Sequence, residues 1–201
     1  MSKIFETPMS MAAFFKASHG TWLNRRAVHH LDHQDDEAAD SNLIIEPFGP
    51  QDPEVSKICN NLNVKTEDCT GGARFWWESN TKKGVRNDDY AAIVIDIPEK
   101  NDSTKGFLLR DVGYVEKNSV ISTYSFASDG VLTITTRYDS NIGIERCWFV
   151  TDQLRMRVSS VQCLDGVTMT TYCTEFRCPT DDEIREVAHR ASDLANRTPI
   201  L

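Results

Sequence analysis

Two stretches near the end of the chain mix fixed charge with residues of buried type: GIERCWFVTDQLRMRVSS at 143–160 and TYCTEFR at 171–177. Side chains alternate faces along a strand. Arg155, Arg157 and Ser159 therefore share a face, as do Glu145, Cys147 and Phe149 in the run before and Cys173, Glu175 and Arg177 in the run after. Three neighbouring strands would thus gather guanidiniums and carboxylates on one side. If that side meets water, it is a charged skin over a core that includes Leu154, Met156 and Val158. If it faces inward, it lines a polar cavity, and unpaired charge there costs several kcal/mol per ion. A ligand carrying acids and N–H donors would offset that cost. Between Gly106 and Cys178 the cations are Arg110, Arg137, Arg146, Arg155, Arg157 and Arg177 against the single Lys117. Arginine keeps its charge in a dry site and grips a carboxylate through two hydrogen bonds. Structural ion pairs between strands remain the alternative reading of the same residues.

The elements that must position these residues are mostly strands. From residue 72 onward GARFWWES, YAAIVIDIP, GFLLRDVGYVEK, VISTYSF, VLTITTRYD, IGIERCWFV, QLRMRVSSVQC and VTMTTYCTEFR read as strand runs. Turn signals separate several of them: Asp129-Gly130, Asn141 with Gly143, Thr151-Asp152 and Asp165-Gly166. Upstream, MSMAAFFKAS at 9–18 reads as a short helix stopped by Gly20, TWLNRRAVHHL as a strand, QDDEAADS as a polar loop and NLIIEPF as a strand. Asp52 and Pro53 suit the N-cap and first turn of a second helix, EVSKICNNL. So many short strands with tight connections favour a closed antiparallel barrel, because closure removes exposed edges. Thr180 and Glu183 open a last helix over about 180–197, whose apolar positions fall on one stripe. The expected organisation is one mainly-β domain over 1–201 with its core at about 9–178.

The 201 residues carry a net charge of −8, which argues against a broad basic surface for nucleic acid. No run is long and apolar enough for a membrane span, and the N-terminus lacks the pattern of a signal peptide. The six cysteines have no CxxC spacing, so they read as reduced thiols rather than a disulfide framework or zinc site. His29 and His30 point to opposite faces of a strand, so the HHLDH run with His33 is not read as a metal site. Trp22, Trp76 and Trp148 read as packing residues, and Asp111 and Glu116 as structural partners of Arg110 and Lys117.

In order along the chain, FFKASHGTWLNRRAVHHL, GGARFWW, LLRDVGYVEK, DGVLTITTRY, ERCWFVTDQLRMRVSS and TEFR together resemble the S-type phycobiliprotein lyases, the CpcS/CpeS family. Asn24-Arg25 stand where the family pattern has Ser-Gln, and Ala27 where it has Thr. The resemblance implies a lipocalin-like barrel with an N-terminal helix that binds a phycobilin as substrate, with no separate cofactor. It further implies transfer of that bilin to a cysteine of an apo-phycobiliprotein subunit as a thioether. Phycoerythrobilin and a phycoerythrin β subunit are the specific expectations, in a cyanobacterial cytoplasm or an algal plastid. On this reading Arg155, Arg157 and Arg26 take the propionates. Glu145 and Glu175 meet the pyrrole nitrogens, and Glu145, ahead of Glu175, acts as an acid with a raised pKa. Phe75 and Trp77 wall the rings, and Ser159 adds a hydrogen bond. A bilin carrier without transferase activity, or a carrier of fatty or retinoid acids, would present a similar pocket. The outward apolar face with Leu154, Met156 and Val158 allows a homodimer.

Overall fold

The Ser10 hydroxyl accepts the Ala13 N–H at 3.2 Å and starts helix α1, Met11–Ser18. This is an N-cap, satisfying one of the donors a first helical turn leaves free. Helix α1 buries Met11, Phe14 and Phe15 on one face. After His19, Gly20 takes a φ of +123° that disfavours any side chain and turns the chain directly into β1. In this computed structural model, residues 7–31, 36–78, 86–113, 117–163 and 166–178 are described.

The strands are β1 (Gly20–His30), β2 (Glu37–Phe48), β3 (Gly71–Glu78), β4 (Arg86–Glu99), β5 (Asp102–Arg110), β6 (Val120–Phe126), β7 (Leu132–Arg137), β8 (Asn141–Phe149), β9 (Leu154–Cys163) and β10 (Gly166–Arg177). They pair antiparallel with their sequence neighbours, and β10 closes onto β1 to complete a ten-stranded barrel. Helix α2, Pro53–Leu62, lies between β2 and β3. Asp52 caps it through the Glu54 N–H and is itself held by Arg74 at 2.7 Å. Among the described residues, no helix is long and apolar enough to cross a membrane.

Two apolar layers follow from strand alternation. The inner layer joins Met11, Phe14 and Phe15 of α1 to Trp22, Leu43, Ile45, Ala73, Val94, Leu108, Tyr124, Phe126, Leu132 and Cys147. Most of these sit where their strands begin or end on one side, so α1 plugs that end of the barrel. The outer layer lies under α2, where Val55, Ile58 and Cys59 meet Cys69, Ile95 and Leu109. Gly106 is required by the inner layer: a Cβ there would lie 2.8 Å from the Tyr124 ring and 2.3 Å from the Ile97 carbonyl oxygen. All six cysteines are free thiols.

Three sequence expectations change. The stretch expected as a polar loop supplies the start of β2, because Glu37 to Ser41 pair with β1 from Val28 to Asn24. The Arg25–Asp40 and Arg26–Glu37 contacts, at 3.1 and 3.5 Å, reward that polar pairing. Asn141 belongs to β8 rather than a turn; the bend falls on Asp139 and Ser140. The run GFLLRDVGYVEK stops as a strand at Arg110, since Asp111 turns its carboxylate onto backbone N–H groups of Ile93 and Val112. The helix expected at 180–197, Glu116, His33 and Asp165 lie outside the described residues.

Asp96 faces the inner layer at 2% exposure. Thr70 donates its hydroxyl to one carboxylate oxygen at 2.5 Å, and the other oxygen has no partner. Burial raises its pKa above the usual 3.8, outweighing the Thr70 hydroxyl that works to lower it. A raised carboxyl contributes its full stability only below the unfolded value and loses it as pH rises through the folded one. Asp96→Asn is therefore expected to stabilise the protein progressively as pH rises above about 4. Thermal melts across that range check it; a constant difference between the two proteins would contradict the buried-acid account.

Candidate functional site

The inward-facing residues of β1, β10, β9 and β8 form cross-strand rows. Nearest α1, Asn24 lies opposite Glu175, Glu175 opposite Arg155, and Arg155 opposite Phe149. One step further from α1, Arg26, Cys173, Arg157 and Cys147 are in register. A third row holds Val28, Thr171, Ser159 and Glu145. The charged face read from the sequence is thus the inner wall of the barrel.

Glu175 is the hinge of the arrangement, with no exposed surface. Its Oε2 accepts Arg155 Nε at 2.6 Å, and its Oε1 accepts Arg157 Nε at 3.2 Å with the Arg157 Nη2 3.1 Å away in the same ion pair. Burial pushes its carboxyl up, but the two guanidiniums outweigh burial and hold it below the usual range. Burial likewise works against the charge on Arg155 and Arg157, and Glu175 reverses that for both. Burial also raises the thiols flanking Arg157, Cys147 to about 12 and Cys173 in the same direction. Both are held as neutral thiols, and Arg157 Nη2 donates to the Cys173 sulfur at 3.4 Å.

The two arginines expected to act alike are placed differently. Arg155 is 2% exposed, donates to the Ser18 hydroxyl at 2.9 Å and lies 5.0 Å from the Trp22 ring centre. Its hydrogen bonds are spent on the fold. Arg157 keeps 18% of its side chain exposed, contacts Glu145 at 3.4 Å and lies 5.9 Å from the Trp77 ring centre. Arg26, two strands away on β1, is also partly open. Phe75 and Trp77 pack half-buried against the rim of the inner cluster, and half-buried Ser159 lies opposite Glu145. Glu145 is 29% exposed and reaches only Arg157 among the described ion pairs. Glu175 departs from the expected acid with a raised pKa, because two cations rather than apolar walls surround it.

Sequence reasoning missed the support beneath these residues. Trp22, read as packing, is fully buried, donates to the Ser18 carbonyl at 2.8 Å and carries Arg177 at 4.2 Å as well as Arg155. Arg177 also donates to the carbonyls of Ala17, His19 and Asp152, tying the end of α1 to the β8–β9 turn. Continuing the alternation from Glu175 to Arg177 and from Arg26 back to Trp22 was the available signal. Ser18 gave none, because it meets Arg155 across 137 residues of sequence.

Two substitutions separate the carboxylates. Glu175→Gln leaves Arg155 and Arg157 short of charge in a dry site and is expected to cost about 3–5 kcal/mol of stability. Glu145→Gln removes a longer, partly wet contact and is expected to cost under about 1 kcal/mol. Urea unfolding of both variants measures the difference. A depressed carboxyl contributes above its unfolded pKa and loses that contribution as pH falls through the folded value. The gap between wild type and Glu175→Gln should therefore narrow in acid.

The CpeS-like protein family model matches residues 10–178. A protein of Synechococcus sp. (strain WH8020) named chromophore lyase CpcS/CpeS is 59% identical over 200 residues, covering 100% of both chains. Chromophore lyase CpcS/CpeS 4 of Trichodesmium erythraeum (strain IMS101) is 42% identical over 91% of this chain and 95% of its own. The solved structure of the S-type phycobiliprotein lyase CpeS from Guillardia theta superposes with a TM-score of 0.69 at 27% identity, over 89% of this chain and 99% of that one. With the strands, the plugging helix and the charged inner wall in the same chain, this protein belongs to the CpeS-like family.

Proposed function

We propose that this protein is a bilin lyase: it holds an open-chain tetrapyrrole in the barrel and joins it to a cysteine of an apo-phycobiliprotein. Phycoerythrobilin and a phycoerythrin β subunit are the substrates we assign, in a cyanobacterial cytoplasm or an algal plastid. The observation that carries the reading is Arg157, pinned from below by a buried carboxylate yet open on its outer side. A pinned guanidinium loses little freedom when a propionate arrives, so the part of its fork left open is preorganised. Arg26 offers a second cation two strands away on β1, and Phe75 and Trp77 offer apolar surface to the rings.

In the reaction, the acceptor's sulfur bonds to the ethylidene carbon of ring A. The π pair of that double bond moves into the tetrapyrrole, a proton is taken up there, and the thiol proton leaves to solvent. A proton on the conjugated system makes the ethylidene carbon more electrophilic. Glu145 is the carboxyl we assign to exchange that proton, since Glu175 is held as a carboxylate between two cations. Cys147 and Cys173, buried and neutral, leave the nucleophile to the acceptor protein. Arg155 acts as a positioning residue through Glu175.

Co-expression with an apo-phycoerythrin β subunit and phycoerythrobilin is expected to give a coloured subunit that survives denaturation. A bilin absorption shift with no covalent product on any phycobiliprotein subunit would make the protein a carrier instead. A homodimer through the outward face of β8–β10, where Trp148, Met156, Val158 and Tyr172 lie, belongs to the same proposal. Tyr172 is 48% exposed there. Light scattering at the mass of two chains would support it, and a monomer mass would remove it.

A further inference from the structure

Arg110 ends β5 with regular pairing to Val94 on one side and Val120 on the other. Its neighbour Leu109 points outward into the layer beneath α2, and Leu108 points inward to Tyr124 and Val94. Alternation therefore sends Arg110 inward, where it is half-buried. The expected partner Asp111 is engaged elsewhere, accepting the N–H groups of Ile93 and Val112 at 2.8 Å each. The arginine ion pairs among the described residues are those of Arg25, Arg26, Arg74, Arg155 and Arg157. Arg110 belongs to none of them, and no described carboxylate pairs with it.

Round the ring of strands, β5 stands five places from β10 and four from β9, so Arg110 faces the charged rows from across the barrel. Its depth also matches. Arg157 is one inward step beyond Arg155, which touches α1 through Ser18; Arg110 is one inward step beyond Leu108, which packs in the cluster with α1. A half-buried guanidinium with no counter-charge among the described residues is left partly desolvated and unanswered. The opposite wall cannot supply one, because Glu175 and Glu145 already serve Arg155 and Arg157.

We infer that Arg110 receives one carboxylate of a ligand that carries two, the other lying on Arg157, so that a dicarboxylic linear tetrapyrrole is held between opposite walls. A ligand with a single acid would leave one wall unanswered. This inference rests on the bilin reading and extends it to a residue on the far side of the barrel.

The test titrates purified full-length protein with phycoerythrobilin and with its dimethyl ester, following bilin absorption. Wild type should bind the free acid more tightly than the ester. Arg110→Gln should weaken binding of the acid about tenfold, the scale of one charged hydrogen-bond pair, and leave the ester unchanged. Arg110→Lys keeps the charge but loses the fork, and should fall between them. Unchanged acid affinity in Arg110→Gln, or equal losses for acid and ester, would overturn the inference while leaving the bilin reading intact. Absence of any spectral response in wild type would remove both. Should the Gln variant melt early, the acid-to-ester ratio of Arg110→Lys decides: a ratio equal to that of wild type overturns the proposal.

Discussion

One buried carboxylate between two guanidiniums governs the rest of the barrel. Glu175 takes Arg155 on one oxygen and Arg157 on the other, and each arginine passes the constraint onward. Through Arg155 it reaches Ser18 and so fixes the C-terminal turn of α1; through Arg157 it reaches Glu145, Cys173 and the face of Trp77. Desolvating three charges is costly, and such an assembly is weak evidence for stability in itself. Its value is orientation. An arginine on a flexible stem would fold back onto the nearest oxygen, whereas one held at its Nε by Glu175 presents the remainder of its fork in a fixed direction.

Much of this was legible in the sequence because a strand has a period of two. Once 143–160 and 171–177 were read as strands, Glu145, Arg155, Arg157, Ser159 and Glu175 had to share a side, and the inner rows reproduce that grouping. Which of two similar arginines would remain open was not legible. The difference between Arg155 and Arg157 comes from a helix at the other end of the chain, and no local pattern carries it. Arg110 escaped for a related reason. Beside Asp111 it looked like half of a neighbouring ion pair, but adjacent residues on a strand point to opposite sides. Polar composition misled at 37–41, where β2 has one polar edge stabilised by partners on β1 rather than by apolar burial.

The departures from the family pattern sort by face. Arg25 points outward and pairs with Asp40, and Ala27 is outward opposite Tyr172. Asn24 alone enters the interior, where it is 2% exposed, donates to the Ser41 hydroxyl at 3.2 Å and lies opposite Glu175. Asn24 thus packs beside the central carboxylate, while Arg25 and Ala27 belong to the outside wall.

Helix α1 gives the barrel a direction. With its aromatic side chains filling one end and Arg177 clasping its final carbonyls, that end is sealed. On the bilin reading, a ligand that reaches Arg157 enters from the end away from α1 and leaves by the same route. A long, thin cargo therefore leaves in reverse order: the portion that went in last is the first to emerge. On that reading the reactive ring travels at the rear on entry, and the floor that positions the cargo also dictates which of its ends a receiving protein meets.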